Sequence, residues 1–142
     1  MNAIGNKLGV LCVDDNPLVA DAIRIQLDMS DAFEVTGCLS TADDLVATAQ
    51  RDCPAVALLD LDMPGLDPMQ AIEDMVRNCP KCRVVVLSGH VRPDLIERAL
   101  QAGAWGYISK NDAETELLTV LNEVSRSQIA FSSEARASYD QL

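Results

Sequence analysis

Short apolar runs alternate along this chain with stretches whose apolar residues recur every three or four positions. Leu8–Val13 is one such run, halted by Asp14-Asp15. Asn16-Pro17 then has the form of a helix N-cap with proline at the first helical position. Val19, Ile23 and Leu27 follow at spacing four, predicting one apolar face of a helix that runs to about Met29. Phe33–Leu39 reads as a second strand. Ser40, with Asp43 three residues on, predicts the start of a second helix with Leu45, Val46 and Ala49 inward. Val56–Asp60 is apolar until its last residue and ends in a turn marked by Pro64 and Gly65. That pattern suits a strand buried on both faces.

Asp67-Pro68 repeats the cap-and-proline signal, and Ile72, Met75 and Val76 mark the inner face of a third helix. Residues 83–87 predict a fourth strand ending at Ser88-Gly89. Pro93 opens a helix carrying Leu95, Ile96, Ala99 and Leu100, stopped by Gly103. Residues 105–109 predict a short fifth strand ending at Lys110. Asn111, with Glu114 three on, caps a last helix with Leu117, Leu118, Leu121 and Val124. Five strands alternating with five helices through short loops predict an α/β fold: one parallel sheet with helices on both faces. Past Ser125 the chain turns serine-rich and loses periodicity, so residues 1–126 are expected to form the domain. Residues 127–142 are expected to be a fraying tail or the start of a linker.

Composition narrows the partners. The chain has 142 residues, one domain's worth, and 22 acidic against 11 basic side chains, a net charge of −11. That balance argues against direct nucleic-acid binding by this segment and for cations or basic partner patches. Residues 1–9 hold no apolar core of signal-peptide length, and no run approaches the ~18 residues of a membrane span. A cytoplasmic protein is expected. Five cysteines, an odd count, fit reduced thiols better than a disulfide framework. Cys12, Cys38 and Cys53 read as small core residues. Cys79-Pro80-Lys81-Cys82 ends a helix and opens a strand, the reverse of a thioredoxin-like motif, and no second ligand pair completes a zinc site.

The candidate chemistry lies at the strand ends. In a parallel sheet the carboxyl ends share one edge, where open α/β sheets build ligand sites. Strand one delivers Asp14 and Asp15 there, strand three Asp60, strand four Ser88 and strand five Lys110. An isolated aspartate at a strand end is usually a cap or a solvated turn residue, but four strands ending in complementary groups is not a pattern of caps. Three carboxylates within ~5 Å repel by a few kcal/mol per pair at an effective dielectric of about 20. A hard divalent cation removes that conflict, and few carboxylates with open water positions describe Mg²⁺ better than a closed Ca²⁺ cage. With the Lys110 ammonium and the Ser88 hydroxyl, the set suits the charge of a phosphoryl group in transfer. Asp60 is then the nucleophile and becomes an aspartyl phosphate.

From Gly9 to Val124 the chain resembles the receiver domain of bacterial two-component response regulators, in particular the NarL/FixJ/LuxR-type subfamily. The matching stretches are Leu11-Cys12-Val13-Asp14-Asp15-Asn16-Pro17, Leu59-Asp60-Leu61-Asp62-Met63-Pro64-Gly65-Leu66-Asp67, Val84-Val85-Val86-Leu87-Ser88 and Ala102-Gly103-Ala104-Trp105-Gly106-Tyr107-Ile108-Ser109-Lys110. The resemblance implies a flavodoxin-like, doubly wound sheet of strand order 2-1-3-4-5. It implies phosphate transfer to Asp60 from a sensor histidine kinase or phosphotransfer protein, with Mg²⁺ on Asp15, Asp60 and the Asp62 backbone carbonyl and Asp14 acting through water. It makes Ser88 and Tyr107 the switch and pairs Lys110 with the phosphoryl group. A phosphoryl oxygen would draw the Ser88 hydroxyl inward, and the Tyr107 ring would turn from an exposed to a buried rotamer. That reshapes the face of the fourth helix, fifth strand and fifth helix. Asp62 and His90 are expected to line the rim where water attacks the phosphoryl group.

Three departures stand out. Ser88 replaces a frequent Thr, Pro68 a frequent Gly, and Asn111 a frequent Pro, so no cis peptide is expected after Lys110. The resemblance also implies dimerisation on phosphorylation and transcriptional output through a helix-turn-helix domain. The expectation is an excised receiver, with a stand-alone receiver acting by protein contact or in a phosphorelay as the alternative. Such a protein would not be an enzyme beyond catalysing its own phosphoryl transfer and hydrolysis. Asp60-Leu61-Asp62 is also similar to the haloacid-dehalogenase phosphatases, but those need a Thr soon after, a place on the first strand and a longer chain with a cap. A degenerate receiver used only for docking is the third reading, although every active-site residue type is present.

Overall fold

The computed structural model describes residues 6–65 and 67–141. Its elements are β1 (Leu8–Val13), α1 (Pro17–Asp28), β2 (Phe33–Leu39), α2 (Leu45–Asp52), β3 (Val56–Asp60) and α3 (Pro68–Asn78), followed by β4 (Arg83–Ser88), α4 (Pro93–Ala102), β5 (Gly106–Ser109), α5 (Ala113–Ser125), β6 (Ala130–Phe131) and α6 (Ser133–Tyr139). All pairings are parallel, in the order β2-β1-β3-β4-β5-β6. The central strands are apolar on both faces because helices cover both: β3 is buried at every position. One layer packs Leu11, Leu59, Ile72, Met75 and Ile96 together, and the other packs Cys12, Ile23, Leu27, Leu58, Leu117 and Leu121.

The cap signals hold where proline backs them. The Asn16 side chain accepts from Leu18 N at 3.0 Å and Asp67 from Gln70 N at 3.2 Å. Elsewhere the structure differs from expectation. The second helix starts at Leu45 rather than Ser40, because Thr41 Oγ1 takes the Asp43 N–H in a local turn. Asn111 does not cap α5; Asp112 stands there, and Asn111 reaches Glu134 of α6. Val76 is 44% exposed rather than inward. Cys38 and Cys53 are exposed, and only Cys12 of those three is buried. No peptide is cis among the described residues, including the one after Lys110.

The main correction is the count: six strands and six helices, not five and five. The extra pair comes from the serine-rich stretch past Ser125. β6 adds to β5 through Ala130 N to Trp105 O (3.0 Å) and Ser132 N to Tyr107 O (3.1 Å). Gly106 permits this closeness, since a Cβ there would stand 3.0 Å from the Ala130 carbonyl. α6 then folds back over β5 and α4. Phe131 and Tyr139 pack with ring centroids 5.3 Å apart, Arg136 lies over Phe131, and the Tyr139 hydroxyl donates to Glu97.

Candidate functional site

Each strand end delivers what its sequence implied. β1 runs out into Asp14, buried, and Asp15, exposed; β3 ends in buried Asp60. One carboxylate oxygen from each of these three lies within 4.8 Å of the others. Lys110, just past β5, sets its Nζ 3.2 Å from Asp60 Oδ1, 3.6 Å from Asp14 Oδ2 and 3.8 Å from Asp62 Oδ2. Asp60 Oδ1 also accepts from Asp62 N at 2.9 Å.

Burial pushes the Asp60 carboxyl above the ordinary range, and the Asp14 charge adds to this; the Asp62 N–H and Lys110 only partly offset them. Burial pulls the Lys110 ammonium down, but Asp60, Asp14 and Asp62 outweigh it and hold the group above an ordinary lysine. The floor of the site is therefore a strained concentration of negative charge with a single ammonium directly against it.

Asp62 is tied more closely to β4 than its spacing from Asp60 reveals. Gly89 N donates to Asp62 Oδ2 at 3.0 Å, Ser88 Oγ reaches Oδ1 at 3.4 Å, and His90 Nδ1 lies 2.7 Å from Oδ1. Burial opposes ionisation of Asp62, but Gly89 N–H, His90 and Lys110 overcome it and leave the carboxyl below the usual range. Ser88 Oγ in turn accepts from His90 N at 2.9 Å. The Tyr107 hydroxyl donates to the His90 carbonyl at 2.6 Å, and the ring is fully buried, so the exposed rotamer is not the one adopted here.

The structure thus brings Asp14, Asp15, Asp60, Asp62 and Lys110 together, with Ser88, His90 and Tyr107 forming a connected rim. The sequence reading missed the neighbours contributed by α6. Ser109, beside Lys110, donates its hydroxyl to Glu134, and its N–H is taken by Ser132 Oγ at 2.9 Å. Asn111 N closes on Ser109 Oγ at 3.1 Å. The one signal for this was Ser132-Ser133-Glu134, a short polar cluster without helical periodicity of its own.

A divalent cation fits this hollow. Asp14 Oδ2 is buried without a hydrogen-bond partner among the described residues. An orphaned carboxylate oxygen facing two more carboxylates is a hard-oxygen donor set of the kind Mg²⁺ takes.

Residues 10–122 match the family model described as the response regulator receiver domain. The chain belongs to that family. This receiver is similar to the transcriptional regulatory protein MctR of Rhizobium johnstonii, 34% identical over 127 residues that cover 89% of the chain and 59% of MctR. It is also similar to the response regulator UvrY of Escherichia coli K12, 31% identical over 121 residues, 85% of the chain and 56% of UvrY. The receiver spans less than two thirds of the length of these curated relatives. Among solved structures, the signal receiver domain of NarL from Mycobacterium tuberculosis matches with a TM-score of 0.79 and 30% identity, over 87% of this chain and 99% of that one. A LuxR-family two-component response regulator from Aurantimonas sp. SI85-9A1 shares the fold with a TM-score of 0.89 at 20% identity, over 96% and 97%. That match includes nearly the whole chain, so the flavodoxin-like fold extends through the C-terminal segment. Among the described residues no helix is long and apolar enough to cross a membrane.

Proposed function

We propose that Asp60 is the phosphoacceptor of a phosphorylation-dependent switch, supplied by a histidine kinase or phosphotransfer protein. An Asp60 carboxylate oxygen attacks phosphorus, the P–N bond to the donor imidazole breaks, and the nitrogen keeps the electron pair. The observation that carries this reading is the Lys110 ammonium 3.2 Å from a buried Asp60 flanked by two further acids. A bound Mg²⁺, held by Asp15, Asp60 and the Asp62 carbonyl with Asp14 behind them, would neutralise charge shared by the acids and the phosphoryl oxygens. Lys110 balances the same charge from the β5 side, and Ser88 offers a hydroxyl to a phosphoryl oxygen. Asp62 and His90 stand where water would approach. The chain acts on its own aspartate and has no separate substrate, which separates this reading from a phosphatase.

The output face is proposed to be α4, β5 and α5 together with β6 and α6, which pack on them. The relative MctR is a transcriptional regulatory protein, so control of transcription through a DNA-binding segment, with dimerisation on phosphorylation, is the output proposed. Incubation with acetyl phosphate and Mg²⁺ tests the acceptor. One acid-stable, base-labile phosphate per chain is expected, absent in Asp60→Asn and absent when EDTA replaces Mg²⁺. Continuous release of inorganic phosphate unaffected by Asp60→Asn would defeat the reading.

A further inference from the structure

Cys12 and Cys38 face each other across the β1–β2 ladder as register partners. Partners in neighbouring strands project to one face with Cα atoms about 4.8 Å apart. That separation falls within the roughly 4.4–6.8 Å that a disulfide spans. The shared face lies under α1. Cys12 packs there with Ile23 and Leu27, and Arg24 donates from Nη2 to Cys38 Sγ at 3.2 Å. The guanidinium bonded to its sulfur holds Cys38 on the α1 side of the ladder, beside Cys12. Access differs between the two: Cys12 is buried and Cys38 is exposed. β2 is an edge strand, and its pairing with β1 already slips between Val10 and Leu11, so it has room to adjust.

We propose that Cys38 and Cys12 form a peroxide-sensitive dithiol that closes to a disulfide across β1 and β2. The Cys38 thiolate attacks one oxygen of hydrogen peroxide and becomes a sulfenic acid; the O–O bond breaks, and the departing hydroxide takes up a proton to leave as water. The Cys12 sulfur then attacks Cys38 sulfur, the S–O bond breaks, and the Cys12 proton leaves with the hydroxyl as a second water. The two sulfurs together lose two electrons and the peroxide gains them. The bond forms where the site begins: Asp14 and Asp15 lie two and three residues past Cys12, just beyond β1, and Asp14 N donates to the carbonyl of Leu39, next to Cys38. Oxidation would thus clamp the strand ends that present the acidic pair. The exposed Cys53 supplies an internal comparison, because its sulfur meets the Gln50 carbonyl at 3.5 Å in place of a guanidinium.

The experiment treats the full chain with hydrogen peroxide at neutral pH, alkylates the remaining thiols and maps tryptic peptides by mass. Trypsin cuts after Lys7, Arg24 and Arg51, so the two sulfurs fall on separate peptides, residues 8–24 and 25–51. The expected product is these two peptides joined with loss of two hydrogens and separated again by dithiothreitol. It is absent in Cys38→Ser, whose fold the exposed position leaves intact, and forms several-fold more slowly in Arg24→Gln. Three results would overturn the proposal: both thiols alkylated after treatment that oxidises Cys53, Cys38 carried to sulfinic acid with Cys12 free, or Arg24→Gln oxidising at the wild-type rate.

Discussion

At Lys110 one ammonium answers to three carboxylates, with Asp60 the nearest at 3.2 Å. Preorganised charge of this kind typically contributes two to three powers of ten to a transfer rate. Lys110→Ala is therefore expected to slow phosphate uptake from acetyl phosphate by about 10²–10³-fold, read as initial incorporation at fixed Mg²⁺. The Asp62 and His90 side chains bond to one another rather than to the Asp60 carboxylate, so Asp62→Ala and His90→Ala are expected to change the rate of phosphate loss more than folding stability. Unchanged dephosphorylation in both variants would remove them from the rim. Thiol chemistry is sorted by burial. Desolvation pushes Cys12 and Cys82 up to about 12 and raises Cys79 as well. With Cys38 and Cys53 exposed, an excess of a thiol reagent near pH 7.5 is expected to label those two quickly and the other three only after denaturation. The residue types at the strand ends were legible from the chain because each closed a different apolar run. Which way Asp62 turns was not, since spacing alone cannot distinguish a side chain aimed at Asp60 from one bonded to Gly89 and His90.

Among the elements, β6 and α6 depend on a small number of polar ties to β5. Ser132 is buried, and its hydroxyl satisfies the Ser109 N–H. Ser132→Ala leaves that donor unpaired in the interior, so a loss of about 1–3 kcal/mol is expected in urea unfolding. A midpoint equal to wild type would mean that water reaches the amide. The first five strands were legible from apolar residues, in runs or, in β2, alternating with polar ones, closed by a turn or a charged residue. β6, two residues long, is below the length at which any period can be read, and α6 has only seven. The Val76 misreading has a local cause. Its position on the helical period is inward, but α3 turns it towards Gly103, where a Cβ would meet Val76 Cγ2 at 2.5 Å and φ is +117°. The glycine needed by the α4 C-cap thus also makes room for a neighbouring side chain.

For the molecule as a whole, the buried acids set a conflict between stability and function. The Asp60 pKa is raised in the fold, so the folded state holds its proton more tightly than the unfolded chain does. Stability then falls as pH rises from the ordinary carboxylate range through the raised value, and the ionised side chain is a net burden at neutral pH. Asp60→Asn is expected to unfold at a higher temperature than wild type in EDTA. Mg²⁺ should raise the wild-type midpoint and narrow the gap, because a ligand bound only to the folded state stabilises it. A lower midpoint for Asp60→Asn in EDTA would show that the carboxylate is needed for packing. The order β2-β1-β3-β4-β5 was legible through the resemblance, and right-handed crossovers favour it, but the strand beyond β5 was not. That sixth strand alters what Tyr107 can do. Tyr107 is itself in the β6 pairing, opposite Phe131, and its ring is wholly enclosed. The ring packs in one cluster with Ala135, Phe131 and Tyr139, so an outward swing of the phenol is expected to loosen β6 and α6, whose Ala130 and Ser132 amides donate to the Trp105 and Tyr107 carbonyls. Slow deuterium uptake at these two amides, quickened whenever the ring leaves, would make the last turn of the sheet a direct reporter of the state of Asp60.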